Sequence, residues 1–310
     1  MKVVTRPSQL PKRPRILAIG TFDGVHVGHQ KILAALVRRA RRERASSVVL
    51  TFPNHPQMVL KPRRPMPMLL SLALKVDLIR EQGVDYCYLA DFNRRFYSQE
   101  ADAFVRGFVL GKLGVRHLVV GYDFKFGKGR GGDVELLKRL SRERGFGVTI
   151  VPPVRRDGGV VSSTRIRGLI ERGDLTGASR LLGRPYRIAG KVVRGAHRGG
   201  LTGYHTANVV LEGGQAPAVG VYAARVRIGL KESGGMVNVG FRPTFVPRRL
   251  RPHDPTVEVH VFDLDRNLYG NRIEVELLKR IRGEHRFPTA EALRRQLNHD
   301  EQAARQICSN

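Results

Sequence analysis

The chain has 310 residues, enough for about two domains, each large enough to bury a core of its own. Its 55 lysines and arginines against 27 acidic residues give a formal net charge of +28, which favours phosphate-bearing ligands. No apolar run approaches the roughly 20 residues needed to span a bilayer, and Cys87 and Cys308 lie far apart without metal-ligand spacing, so a membrane protein, a disulfide framework and a zinc site are all disfavoured. The expected compartment is a reducing cytoplasm. Residues 1–14 are basic but carry no apolar segment and do not read as a secretory signal.

Apolar runs over 15–20, 47–52, 84–90, 116–121 and 148–151 predict strands, and helical periodicity predicts helices over 30–44, 70–82, 98–113 and 133–144. Leu33, Leu36 and Val37 form the apolar stripe of the first helix, whose end carries the densest basic cluster, 38–44, read as a solvated face. Strand–helix alternation predicts an α/β domain built on a Rossmann-like parallel sheet, with ligands held beyond the C-terminal strand ends. At the end of the first strand, residues 20–29 read Gly-Thr-Phe-Asp-Gly-Val-His-Val-Gly-His. Gly20, Gly24 and Gly28 let the backbone approach a ligand. His26 and His29 stand together at a helix start, where free N–H groups and the helix dipole favour phosphate. Donors placed there can follow charge as it develops in nucleotidyl transfer.

After Asp157-Gly158-Gly159 comes Ser162-Ser163-Thr164-Arg165-Ile166-Arg167, then two short helical stretches closed by Leu182-Gly183-Arg184-Pro185, which place a domain boundary near residue 184. Closely spaced strands over 186–193, 207–211, 219–228, 236–239, 256–262 and 272–278 predict a compact barrel, and a final helix follows Pro288.

With these motifs the chain resembles the bifunctional bacterial riboflavin kinase/FMN adenylyltransferases, the prokaryotic FAD synthetases, from about residue 15 to about 305. The resemblance implies a nucleotidyltransferase-like domain over 1–184 and a small six-stranded riboflavin kinase barrel with a C-terminal helix over 185–310. It implies that His26, His29 and Arg167 stabilise charge on ATP phosphates in the first domain. An arginine's planar fork suits that clamping role. Gly20, Phe22, Asp23 and Gly24 of the same loop, with Ser162, Ser163 and Thr164, would bind nucleotide. Asn54 in Thr51-Phe52-Pro53-Asn54-His55-Pro56 would lie on the flavin side, and Asp123 and Phe126 in Gly121-Tyr122-Asp123-Phe124-Lys125-Phe126-Gly127 would contact nucleotide or flavin.

In the barrel, Gly203-Tyr204-His205-Thr206-Ala207-Asn208 is similar to the family's G-x-P-T-A-N motif, so Thr206 and Asn208 would hold nucleotide phosphate and Mg²⁺, which takes few protein oxygens. Glu258, in Thr256-Val257-Glu258-Val259-His260, would be the general base toward the riboflavin 5′-hydroxyl. Gly240-Phe241-Arg242-Pro243-Thr244-Phe245 fits a loop near that site. His205 stands where the family has proline, and the lost restraint on φ is expected to loosen the loop. The implied ligands are riboflavin, FMN, FAD and ATP with Mg²⁺, without a membrane. Two rivals stay open: an FMN adenylyltransferase with an impaired kinase domain, and a basic nucleic-acid-binding or regulatory relative. The charge admits nucleic acid but does not select it, and the oligomeric state is not legible.

Overall fold

The computed structural model describes residues 1–60, 66–194, 204–240, 256–264 and 266–309. The chain enters its first sheet earlier than the apolar runs predict. Lys2–Val4 forms β1, too short to show a period, and pairs with β4 (Tyr86–Leu89). With β2 (Arg15–Ile19), β3 (Ser46–Thr51), β5 (Val115–Gly121) and β6 (Gly147–Val151) it makes a six-stranded sheet in the order β1-β4-β3-β2-β5-β6. Every pairing is parallel, and β3 is buried along its whole length, as a strand covered on both faces must be. Helix α1 (Val27–Arg42) buries Leu33, Leu36 and Val37 and leaves Arg38, Arg41 and Arg42 exposed, the solvated face expected.

Two departures from the predicted elements follow. Pro56–Leu60 forms a short helix, α2, where the sequence pattern predicts no element. After α3 (Leu72–Glu81) and α4 (Arg94–Tyr97), the helix expected over 98–113 begins as α5 (Ala101–Ala103) and widens into a π-helix, Phe104–Lys112. Its last turn closes with the Leu113 N–H on the Phe108 carbonyl, and Phe104, Val105 and Val109 enter the core. Helix α6 (Val134–Arg144) is conventional: the Asp133 carboxylate accepts from the N–H groups of Leu136 and Glu135, the Leu136 bond and then Lys125 hold its pKa below the usual range, and Gly145 ends the helix at φ 68°.

A two-strand ribbon, β7 (Arg155–Arg156) and β8 (Gly159–Val160), precedes α7 (Ser163–Glu171) and α8 (Leu175–Leu182). Then come β9 (Tyr186–Val193), β10 (Ala207–Leu211), β11 (Gly220–Ile228), β12 (Lys231–Gly240), β13 (Thr256–Val261) and β14 (Arg272–Arg282). They close into an antiparallel barrel, β10-β13-β12-β11-β14-β9, followed by α9 (Ala290–Ser309). Closure leaves no unpaired edge.

The chain divides into two compact units, 1–68 with 75–162, and 69–74 with 163–310. This break in contacts precedes the Gly183-Arg184-Pro185 punctuation because α8 packs on β9 and β14.

Helix α9 lies on the outer face of β11, β12 and β14, where Ala304 meets Ala223, Met236 and Phe262. Beneath it, Asp300, 1% exposed, accepts from Arg282 of β14 at 2.7 Å and from the Gln296 amide at 2.8 Å. Removing one member of a buried pair strands the other charge. Asp300→Ala is therefore expected to cost about 3–5 kcal/mol in denaturant unfolding of the barrel unit. A loss within experimental error would show that the pair does not hold the helix down.

Candidate active sites

In the first sheet the chain winds outward in both directions from β2, whose neighbours are β3 and β5. Three loops that carry sequence motifs leave the C-terminal ends of these adjacent strands: 20–26 after β2, 52–55 after β3 and 122–127 after β5. This is the crevice in which open α/β sheets hold ligands.

The loop after β2 is tightly wound. Phe22, Gly24 and Val25 adopt φ of 47°, 82° and 40°, a left-handed path that costs a bulky residue and a β-branched one strain that glycine avoids. It is tied down on both sides. The Thr51 hydroxyl donates to the Thr21 carbonyl at 3.0 Å, and the Gln30 amide donates to the Val25 carbonyl at 2.9 Å.

His26 caps α1: its Nδ1 accepts the His29 backbone N–H at 3.3 Å, which leaves the proton of the neutral ring on Nε2. The His29 ring stacks on it, centroids 3.6 Å apart and 15° from parallel, with the edge of Phe22 at 5.3 Å. Gly28 makes room, since a Cβ there would lie 3.1 Å from the His26 ring. The structure thus brings the two histidines named from the sequence together as one stacked pair at the helix start.

The other residues expected in this site divide by burial. Asn54 and Asp123 are exposed at the ends of β3 and β5. Phe22, Asp23 and Gly24 are buried within the loop. Phe126 is buried as well, stacked on Phe124 at 5.3 Å and tilted against Phe104 at 6.1 Å, so its ring belongs to the core under the loop. His55 Nδ1 accepts the Gln57 N–H at 3.2 Å, which starts α2. Ser162 closes the first compact unit. Ser163 and Thr164 open α7 in the second, and Arg167 lies one turn on, 8% exposed, its carbonyl accepting from the Gln215 amide at 3.1 Å.

Sequence reading missed Lys75. It sits on the buried face of α3 with Leu78 and Ile79, is itself fully buried, and donates from Nζ to the Phe52 carbonyl at 2.6 Å. Burial pulls its pKa down to about 8 against the attraction of Asp23 and, less, of Cys87. A lysine inside an apolar stripe was the available signal.

The second site is built on the outer face of the barrel. Along β13 the apolar residues Val257, Val259 and Val261 point inward, and Glu258 and His260 alternate with them. Register puts Glu258 opposite Asn208 on β10 and Asn238 on β12, so a carboxylate lies in one row between two amides. Asn238 was missed by sequence reading, although an asparagine inside Met236-Val237-Asn238-Val239 was a signal of the same kind.

His205 and Thr206 are exposed, and His260 Nδ1 donates to the His205 carbonyl at 2.9 Å. Next to it the Tyr204 hydroxyl is bonded to Asn298 at 2.6 Å and Glu301 at 2.9 Å on α9; burial first, then Glu301, pushes its pKa up to about 12. The 204–208 segment is thus anchored from β13 and from α9 despite the absent proline. Gly203 and 241–245 lie outside the described residues. Among the described residues no group of three or more histidine, cysteine or acidic side chains could hold a metal ion.

A parallel sheet opening beneath three motif loops, joined to a closed barrel bearing a carboxylate–amide row, defines a two-unit phosphate-handling enzyme class. Residues 8–165 match the FAD synthetase family and 182–308 the riboflavin kinase family. The bifunctional riboflavin kinase/FMN adenylyltransferase of Escherichia coli K12 is 37% identical over 301 residues, 97% of this chain and 95% of that protein. That of Bacillus subtilis is 35% identical over 313 residues, 99% and 98% of the two chains, and that of Pseudomonas fluorescens 39% over 294 residues. A crystal structure from Streptococcus pneumoniae, described as a macrolide-efflux protein, superposes with a TM-score of 0.87 and 32% identity over 98% of both chains. Among the described residues of this chain no helix is long and apolar enough to cross a membrane. The chain belongs to the bifunctional riboflavin kinase/FMN adenylyltransferase family.

Proposed function

We propose that the chain phosphorylates riboflavin to FMN on the barrel and transfers AMP from ATP to FMN on the parallel-sheet unit, giving FAD and pyrophosphate. The observation that supports this best is the presence in one chain of both arrangements. One is the stacked His26–His29 pair at the strand-order reversal; the other is Glu258 in register with Asn208.

On the barrel, Glu258 takes the proton of the riboflavin 5′-hydroxyl as that oxygen attacks the γ-phosphorus of ATP, and ADP leaves. A carboxylate in hydrogen-bond reach of the hydroxyl suffices as general base. The exposed Thr206 hydroxyl and the Asn208 amide, beside Glu258 and apart from any acidic cage, are a donor set suited to Mg²⁺ carried on nucleotide phosphates. Bound there, Mg²⁺ would neutralise phosphate charge.

On the sheet, an FMN phosphate oxygen attacks the α-phosphorus of ATP and pyrophosphate departs. The Nε2–H of His26 and the ring of His29 donate to the phosphates as charge develops, and no covalent protein intermediate is needed. Gly20, Phe22, Asp23 and Gly24 shape the nucleotide loop, Asn54 and Asp123 serve the flavin side, and Phe126 supports the latter from below. We assign the Ser162-Ser163-Thr164 run and Arg167 to the phosphates of this reaction, which makes 1–184 the adenylyltransferase segment and 185–310 the kinase. Function in the cytoplasm fits the two free cysteines.

Incubation with riboflavin, ATP and Mg²⁺, followed by chromatography of FMN and FAD, tests the whole reading. His29→Ala should lower FAD formation by about 10²–10³ while FMN still accumulates. Equal loss of both activities in a folded protein would refute the assignment. Glu258→Gln should lower riboflavin phosphorylation by roughly 10²–10⁴ and leave FAD synthesis from supplied FMN unchanged. A normal kinase rate would mean that the barrel uses no carboxylate base.

For His205→Pro, pre-setting φ should lower the Mg·ATP concentration the kinase needs by an amount worth about 0.4–1 kcal/mol. Superimposable Mg·ATP titrations would show that the His260 anchor already supplies the order proline would.

A further inference from the structure

Lys75 lies beneath the first site, and the chemistry above does not use it. Its Nζ is fully buried, in a place where an apolar side chain of similar length would avoid the cost of desolvating a charge. The end of β3 offers the Phe52 carbonyl at 2.6 Å; the Asp23 carboxylate of the loop after β2, itself 1% exposed, attracts the ammonium through its charge, and Cys87 of β4 does so less. Burial raises the Cys87 thiol to about 11, so it stays neutral near pH 7 and Asp23 is the charged partner. Asp23 lies between Phe22 and Gly24, inside the left-handed path that delivers His26 to the helix start. Phe52 precedes Pro53 and Asn54 of the flavin-side turn.

We propose that Lys75 is a positioning residue for adenylyl transfer, its buried ammonium clamping the loop after β2 to the loop after β3 so that the histidine pair and the flavin-side turn keep one separation. The proposal rests on the function assigned above. Only the charged form attracts Asp23; a neutral amine keeps the Phe52 hydrogen bond alone. With a pKa of about 8, the clamp is whole below that pH and weakens as pH rises through it. Asp23 raises that pKa, so neutralising Asp23 must lower it. The barrel holds none of these partners.

The test uses the full-length protein. Lys75→Met should lower kcat for FAD formation by about 10²-fold, the scale of a misplacement near 1 Å, with a smaller change in KM for FMN. Riboflavin phosphorylation by the same molecule should be unaltered. In the wild type, FAD formation should fall as pH passes about 8 while the kinase profile lacks that limb. Titration of the Lys75 ε-carbon by ¹³C NMR should give the same midpoint, and Asp23→Asn should move it lower. An unchanged kcat in Lys75→Met would overturn the clamp. So would a lysine midpoint near its ordinary value, or one indifferent to Asp23→Asn, and neither of these readings needs Lys75→Met to fold. A wild type that makes no FAD refutes the assigned reaction instead, and the NMR titration then judges the Lys75–Asp23 pairing separately.

Discussion

The strand order of the first sheet is the constraint on which its site depends. Parallel strands send all their C-terminal loops to one edge, but helices normally fill the space above that edge. At β2 the winding reverses, so the connections leaving β2 and its neighbour lie on opposite faces and a crevice remains between them. The loops after β3, β2 and β5 border that crevice, and all three are motif loops. A sheet of the same composition wound in one direction would have the same motifs without a place for them to converge.

Given the crevice, the work of the loop after β2 is geometric. Two non-glycine residues in left-handed conformations, each costing on the order of 1–3 kcal/mol, are tolerated because tertiary contacts over-determine the path. Those contacts are the Thr51 and Gln30 hydrogen bonds, the buried Phe22 ring and the helix cap made by His26 itself. Capping with an imidazole rather than with serine or aspartate has a chemical consequence. It consumes Nδ1 and leaves the ring proton on Nε2, so one interaction both starts the helix and selects the tautomer.

The sequence was informative wherever a feature was periodic or dense. Repeated alternation exposed the core strands of the sheet and the barrel, and ten consecutive residues exposed the histidine loop. The misses are short or isolated. β1 has three residues and owes its place to pairing with β4; α2 has five and begins at a proline. The π-helix keeps helical periodicity closely enough to read as an α-helix. Lys75 and Asn238 are single polar residues inside apolar patterns, and their importance comes from partners distant in sequence: Phe52 and Asp23 for one, Glu258 for the other. Phe126 shows the converse. It belongs to a motif, yet burial against Phe104 and Phe124 places it under the site.

The two sites solve their chemistry by different means, and the surrounding structure reflects this. On the proposed assignment the kinase takes its base from register: antiparallel pairing fixes Glu258 between Asn208 and Asn238, and β13 carries no left-handed residue. The adenylyltransferase site needs no base, since an FMN phosphate is already an anion, and it invests in positioned donors instead. That explains where the costly features lie. The strained Phe22 and Val25, the stacked imidazoles and the buried lysine all belong to the sheet unit, whereas the second site rests on a regular barrel surface beside α9. The net charge of +28 acts on both without distinguishing them, because ATP and FMN are anions and such a field raises their local concentration, an effect that salt screens. Selectivity must therefore come from the short-range geometry, and it is there that the two units differ.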